Sequence, residues 1–587
     1  MLHIVILPVL APFAAAVLLL AMRDLPMAAR RWIAVISVLA QIAIAIALLM
    51  AVAGGEILVY RLGDWPAPWG IVLVADRLAA WLMLTTTLLA LFAVIYAGDG
   101  TDRQGRHFHV LFQMQLFGIA MAFLTGDLFN LFVAFEILLI ASYGLLLHGG
   151  GPARVRGGLH YVILNLIGST LFLFAAGLIY ASLGTLNMAD IARQAATVAP
   201  ENLGLARAGG LLLFAVFGLK AALLPLFLWL PGAYANTTAS VAALFAIMTK
   251  VGAYALLRAD TLLFGPDSGA LAALYEAWRL PLALTTLAAG MIGALAAPNL
   301  ARLAAWLVIA SVGLLLAAFS ADTAGIAAGL YYLPHSTFAA ALLFLLAEAF
   351  KRRRPASADF FRSEHDMPHH ALWGGLFFFA AVAAAGLPPL SGFLAKFMIL
   401  RAAQWEVWVA VLLAALVGTI ALARAGSALF FSTRTVEPPP PGAPALLVDQ
   451  RPGEAADPPS GPRELAAILG LVGLILALTL AAGPAARFAA VFLHDVVIAN
   501  LAVARLILAG PRRLRPCFVA VPLDLTNDLA ISVLANTICL TPGTVSARLS
   551  EDRRSLLVHA LDCDDPAALV TEIKQRFEAP LKEILEC

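Results

Sequence analysis

Apolar stretches of about 20 residues, the length a helix needs to cross the hydrocarbon core, recur along almost the whole chain. They predict spans near 4–22, 32–53, 76–97, 108–124, 127–147, 159–183 and 209–231. Seven more fall near 238–258, 280–297, 302–319, 324–350, 371–402, 405–431 and 464–484. A fifteenth, 489–509, follows a Gly483-Pro484 break. The 371–402 stretch is too long for one straight helix. The opening segment lacks a basic start and a small-residue cleavage site, so it predicts a retained span and not a signal peptide.

Two regions depart from this pattern. Residues 436–463 are Pro-rich and unpatterned, which predicts a linker on the cytoplasmic side. In 511–587 charges return and the periods shorten. Phe518–Val521 predicts a strand, 526–540 a helix, Val545–Leu549 and Leu556–Leu561 a hairpin around Glu551-Asp552, and 566–585 an amphipathic helix. That is a small α+β domain near the lower size limit for independent stability, so it calls for a partner. All four cysteines (Cys517, Cys539, Cys563 and Cys587) fall in this tail without Cys-x-x-Cys spacing, which predicts reduced thiols with no redox role.

Composition narrows the class. Of 587 residues, 62% are hydrophobic and 13% charged, with a net charge of +2. So few charges could not cover a soluble protein of this size without large apolar patches. A nucleic-acid binder, a disordered scaffold and a disulfide-rich secreted domain are excluded as well. The expectation is an all-α polytopic membrane protein.

Arg and Lys collect in alternate loops: Arg23, Arg30 and Arg31; Arg103 and Arg106; Arg154 and Arg156; Arg302; then Lys351–Arg354 and Arg362. The intervening loops are poorer, with Arg61, then Arg193 and Arg207, Arg258 and Arg279, and Arg401. This asymmetry predicts an external N-terminus. Fifteen crossings would then leave Arg505, Arg512, Arg513 and Arg515 in the cytoplasm.

Charge at membrane depth is costly and usually functional. Five ionisable residues lie well inside apolar spans: Glu136, Lys220, Lys250, His335 and Lys396. Lys220 is near Pro225, and Lys396 near Pro388 and Pro389, so both are expected beside helix breaks. Two interrupted spans in separate halves of a chain point to an ion pathway between internal repeats. Burial disfavours an ammonium and a nearby carboxylate favours it. Motion of Glu136 relative to Lys220 would therefore make that lysine hold or release a proton. An imidazole titrates near neutrality, which suits His335 to a link between lysines. One intramembrane lysine could snorkel or serve only as structure, but five such residues over five spans favour a relay.

Other polar residues carry weaker signals. His365, His369 and His370 lack defined metal-ligand spacing. His107 and His109 lie at a span mouth and are expected at the interface. Glu348 beside Lys351–Arg354 predicts a salt-bridged helix end. Arg424 is open between snorkelling and the path, and Asp127 and Asn130 between helix capping and a pathway mouth. No nucleotide, metalloprotease or nucleophile-elbow motif occurs in a suitable context.

Several stretches carry a family resemblance. FNLFVAFEILLIASYGLLLHG, FGLKAALLPLFLWLPGAYANT, AIMTKVGAYALLR and LPPLSGFLAKF, with the fourteen-span layout, resemble the MrpD (MnhD, PhaD) component of bacterial multisubunit Na⁺/H⁺ antiporters. That component is related to the proton-pumping membrane subunits of respiratory complex I. The resemblance covers about the first 485 residues. It implies inverted five-helix repeats, spans 4–8 and 9–13, each with one broken helix. It also implies roles: Glu136 paired to Lys220, Lys250 central, His335 linking and Lys396 terminal.

The remainder resembles MrpE, normally a separate subunit. Residues 486–510 look like its last membrane helix and 511–587 like its cytoplasmic domain, while its earlier membrane segments are missing and the 436–463 insert is unusually long. Taken together, the resemblance implies a cation/proton antiporter subunit exchanging H⁺ for Na⁺, or K⁺ or Li⁺, in a bacterial cytoplasmic membrane. Its partners would be MrpA-, MrpB-, MrpC-, MrpF- and MrpG-like subunits, with no cofactor, metal or nucleic acid. The alternatives are a proton-pumping subunit of a complex I-like dehydrogenase or membrane hydrogenase, and a non-transporting assembly scaffold.

Overall fold

The computed structural model describes residues 2–22, 24–354, 357–362, 367–431, 461–483, 517–540, 544–550, 552–560 and 565–585. The fifteenth span, most of the Pro-rich linker, His365, Glu551, Cys563 and Cys587 lie outside them. The chain divides into two units, residues 1–385 with 395–474, and residues 386–394 with 475–587.

In the first unit and the helices that continue from it, apolar spans become α1 (Leu7–Ala21), α2 (Met27–Ala51), α3 (Arg77–Ala97), α4 (Phe108–Leu124), α5 (Leu128–Leu146) and α6 (Pro152–Leu183). A short amphipathic α7 (Met188–Ala195) follows. Next come α8 (Pro200–Ala221), α9 (Trp229–Asn236), α10 (Ala239–Phe245), α11 (Met248–Arg258), α12 (Glu276–Ala296), α13 (Leu300–Phe319) and α14 (Thr323–Arg353). The series closes with α15 (His370–Ala385), α16 (Ser391–Ala402), α17 (Trp405–Gly426) and α18 (Pro462–Ala481). Eleven helices are long and apolar enough to cross a membrane, and the shorter α1, α4 and α15 complete fourteen crossings among the described residues. Pro462 and Arg463, expected in the linker, already belong to α18.

Sequence reading missed the β-hairpin β1 (Leu58–Arg61) and β2 (Val72–Ala75), whose strands are only four residues long. It also missed the tightened turn at Ala246–Ile247 that joins α10 to α11. There Ala246 N–H bonds to Ala243 O at 3.2 Å and Ile247 N–H to Leu244 O at 3.3 Å. Such three-residue spacing inside a longer helix leaves no hydropathy signal, and it often marks a functional hinge.

The internal repeat shows in matched connections. Asp127 caps α5 by accepting from Asn130 N–H at 2.8 Å, and Asn299 caps α13 by accepting from Arg302 N–H at 3.0 Å. Leu128 N–H bonds to Leu186 O and Met188 N–H to Gly126 O, both at 2.8 Å. In the second half, Leu300 N–H bonds to Asp359 O and Phe361 N–H to Pro298 O, both at 3.1 Å. Each cap residue thus bridges the segment after the next helix but one, and each repeat then breaks its following span. Five crossings per repeat, an odd number, place the second repeat upside down in the membrane.

In the second unit, β3 (Cys517–Pro522), β5 (Ser555–Ala560) and β4 (Thr544–Leu549) form an antiparallel sheet in the order β3-β5-β4. Its helices are α19 (Asp528–Leu540), α20 (Pro566–Ile573) and α21 (Ala579–Leu585), the last two joined by a π-helical turn. Buried Glu578 accepts from the N–H groups of Asp524 at 2.6 Å and Leu525 at 3.3 Å, while Lys574 spans Asp524 and Glu578. Cys517 and Cys539 are free thiols.

Candidate functional site

Lys220 occupies the last turn of α8, just before the span breaks. Ala222 takes a left-handed φ of 62°, and Leu223 N–H reaches back to Gly218 O at 2.8 Å, closing the helix end. Trp229 Nε1 donates to Leu219 O at 3.2 Å, and Leu224 N–H donates to Thr286 Oγ1 at 2.9 Å. These polar groups at the break, which contains Pro225, are therefore satisfied inside the protein, as irregular backbone at membrane depth requires.

The Lys220 ammonium points at α6. It donates to Asn165 O and Ser169 Oγ, both at 3.3 Å, and to Asn165 Oδ1 at 3.5 Å, with the Phe135 ring centroid 5.8 Å away. Tyr161, Asn165 and Ser169 recur every four residues and form a buried polar stripe along one face of α6. Lys220 and Glu136 form no ion pair among the described contacts. The carboxylate instead leaves its Oε1 buried without a hydrogen-bond partner on α5. The direct pairing expected of these two residues is thus replaced, in this state, by amide and hydroxyl ligands.

Gly252 sets the approach of the next lysine. A Cβ there would lie 2.4 Å from Ala221 N and 2.6 Å from Lys220 C, so only glycine lets α11 lie directly on the end of α8. Two residues earlier on α11, Lys250 is fully buried at 0% exposure. Its ammonium donates to Ser311 Oγ of α13 at 3.0 Å, and Ser311 in turn donates to Val308 O at 2.7 Å.

On its far side Ser311 lines a cavity shared with His335, Ser336 and Lys396. His335 is on α14 and bonds through Nε2 to Ala383 O at 3.1 Å. A carbonyl can only accept, so Nε2 carries a proton in this contact. Lys396 follows the second break, the one containing Pro388 and Pro389, and its ammonium donates to Ala385 O at 2.5 Å. The last carbonyls of α15 thus hold both protonatable groups, at the helix end whose dipole favours positive charge.

The remaining polar residues make structural contacts. Glu348 lies 3.6 Å from Arg352, an ordinary helix-end pair. Asp127 is a cap. Arg424 donates to Ala297 O at 2.8 Å. His370 contacts Phe430 O at 3.0 Å, and no metal-ligating cluster occurs among the described residues.

His109 corrects the interfacial expectation. It is buried and bonds to Asp102 Oδ2 at 3.1 Å, on a carboxylate that Arg31 grips at 2.6 and 2.7 Å. Burial alone would raise the Asp102 carboxyl, but hydrogen bonds from Arg31 and His109 outweigh it and hold it at about 2. Glu464, also missed, is a buried anchor of α18, held by Arg353 at 2.8 Å.

Buried amines, a carboxylate and an imidazole, strung across two broken-helix repeats, define an ion-translocating membrane subunit. Residues 125–422 match the family model described as NADH:quinone oxidoreductase/Mrp antiporter, and residues 458–584 match a Na⁺/H⁺ ion antiporter subunit model. The chain belongs to the NADH:quinone oxidoreductase/Mrp antiporter family. A relative from Rhizobium meliloti (strain 1021), named as the D component of a probable K⁺/H⁺ antiporter, is 38% identical over 87% of this chain and 98% of its own length. The D component of the Na⁺/H⁺ antiporter of Bacillus subtilis (strain 168) is 38% identical over 68% of this chain and 80% of its own. Among solved structures, one component of the Mrp complex from Dietzia sp. DQ12-45-1b superposes with a TM-score of 0.70 at 26% identity, covering 82% of this chain and 94% of that one. One component of respiratory complex I from Thermus thermophilus gives 0.59 at 25% identity, over 80% and 96%.

Proposed function

We propose that this chain is the proton-carrying subunit of a multisubunit cation/proton antiporter, working with other Mrp-type subunits in a bacterial cytoplasmic membrane. Protons pass along Glu136, Lys220, Lys250, His335 and Lys396 and drive export of Na⁺. No substrate bond other than those to the moving proton is made or broken. The observation that carries this reading is the polar connection Lys250–Ser311–cavity–His335/Lys396 inside an otherwise apolar bundle. The Glu136 carboxylate supports it too, because a buried acid with a free oxygen can approach or leave Lys220.

The basic loops support an external N-terminus. Residues 1–485 form the antiporter domain, 486–510 a further span and 511–587 a cytoplasmic domain. The tail favours the antiporter over a complex I-like pump, since the antiporter-subunit model reaches through it. K⁺ as the cation is a second reading, favoured by the name of the Rhizobium meliloti relative.

Replacing Glu136 or Lys220 with alanine is expected to abolish ΔpH-driven exchange in everted vesicles while leaving the complex assembled on native gels. Full exchange in an assembled Lys220→Ala complex would rule out the relay. Running the assay with Na⁺ and then K⁺ decides the cation.

A further inference from the structure

Resting on the relay reading above, we propose that Ser311 is a positioning residue whose hydroxyl connects or disconnects the two halves of the path. Among the described contacts, the single hydrogen bond of the Lys250 ammonium is the one to Ser311 Oγ. Ser311 is also the polar group on α13 that faces the cavity holding His335, Ser336 and Lys396. Every polar route from Lys250 to that cavity among these contacts therefore crosses this one oxygen.

The hydroxyl is set in its disconnected position. Its proton is donated back to Val308 O at 2.7 Å, the usual way a serine satisfies itself within a helix. Its lone pairs then face Lys250, and nothing is offered to the cavity. Rotation about the Cα–Cβ bond turns the O–H toward the cavity, a mostly apolar space with room for a water beside Ser336, His335 and Lys396.

The transfer then balances. A Lys250 N–H bond breaks and a Ser311 O–H bond forms, while the original Ser311 proton passes to a cavity water. That water's excess proton goes to the imidazole of His335 when it is neutral, or to Lys396 when it is in its deprotonated amine form. One proton moves and no electrons change hands. Glu136 and Lys220 lie on the other side of Lys250, so rotation of Ser311 couples or isolates the repeats without moving either helix.

The test uses the whole complex in everted vesicles, with Lys250→Ala measured in parallel. Ser311→Ala should assemble normally yet slow ΔpH-driven exchange roughly 10-fold, because water replaces a missing hydroxyl only in part. Ser311→Thr, which keeps the hydroxyl, should recover at least about half of the wild-type rate. Wild-type exchange by Ser311→Ala, equal slowing by both variants, or failure of Ser311→Ala to assemble would each overturn the proposal. If Lys250→Ala also exchanges normally, the relay reading itself fails; if only Ser311→Ala does, the relay stands and the hydroxyl switch falls.

Discussion

In α8/α9 the lysine precedes the break, whereas in α15/α16 it follows it. Lys220 turns away from its own helix end and is held by side-chain and backbone oxygens of α6, while backbone and an indole close the carbonyls of α8. Lys396 folds back onto the freed carbonyl of Ala385, and His335 takes that of Ala383. The first site can thus be tuned through its side-chain ligands. The second is built from backbone that no side-chain substitution removes. Of the two lysine sites of the proposed path, one is built partly on side chains and the other on backbone.

The largest effects test whether both ends are needed. Lys220→Ala and Lys396→Ala should each cut exchange by on the order of 100-fold or more, the usual scale for losing a proton-transfer group, with the complex still assembled. A normal rate in either variant would break the parallel between the repeats. Next in size, Asn165→Ala should slow exchange roughly 10-fold by removing a ligand of the Lys220 ammonium. Ser336→Ala, beside the backbone-held site, should change it less than about 2-fold. Equal sensitivity at the two places would erase the contrast.

Gly252→Val tests the close approach that brings α11 onto α8. Its side chain would overlap Ala221 backbone, at a cost of about 1–3 kcal/mol in stability, seen as a lower melting temperature of the purified complex. The smallest effect on exchange belongs outside the path. Asp102→Asn should leave the exchange rate near wild type but destabilise the protein by about 3 kcal/mol, because Arg31 loses its buried partner. The folded carboxyl sits at about 2 against an ordinary 3.8, so its contribution is complete above about 3.8 and is lost as pH falls toward 2. Wild-type and Asp102→Asn stabilities should converge over that acid window.

Hydropathy made the fourteen crossings legible because lipid demands one long apolar run per crossing. Scarcity of charge exposed the ionisable residues of the proposed path for the same reason. The ligands of those residues were hidden to different degrees. Tyr161, Asn165 and Ser169 share a four-residue spacing that marks a polar helix face, so this stripe was readable though overlooked. Ser311 was not readable, since an isolated serine in an apolar helix most often bonds only to its own backbone. His109 looked interfacial because nothing in the chain announces that the neighbouring Asp102, seven residues before it, is held by Arg31, 71 residues away.

Lys250, in the first repeat, bonds to Ser311, in the second, and its replacement tests the account most directly. ΔpH-driven cation exchange of the Lys250→Ala complex, measured in everted vesicles alongside its assembly on native gels, should be lost with assembly intact. Full exchange by that assembled complex would contradict a proton path through the buried lysines.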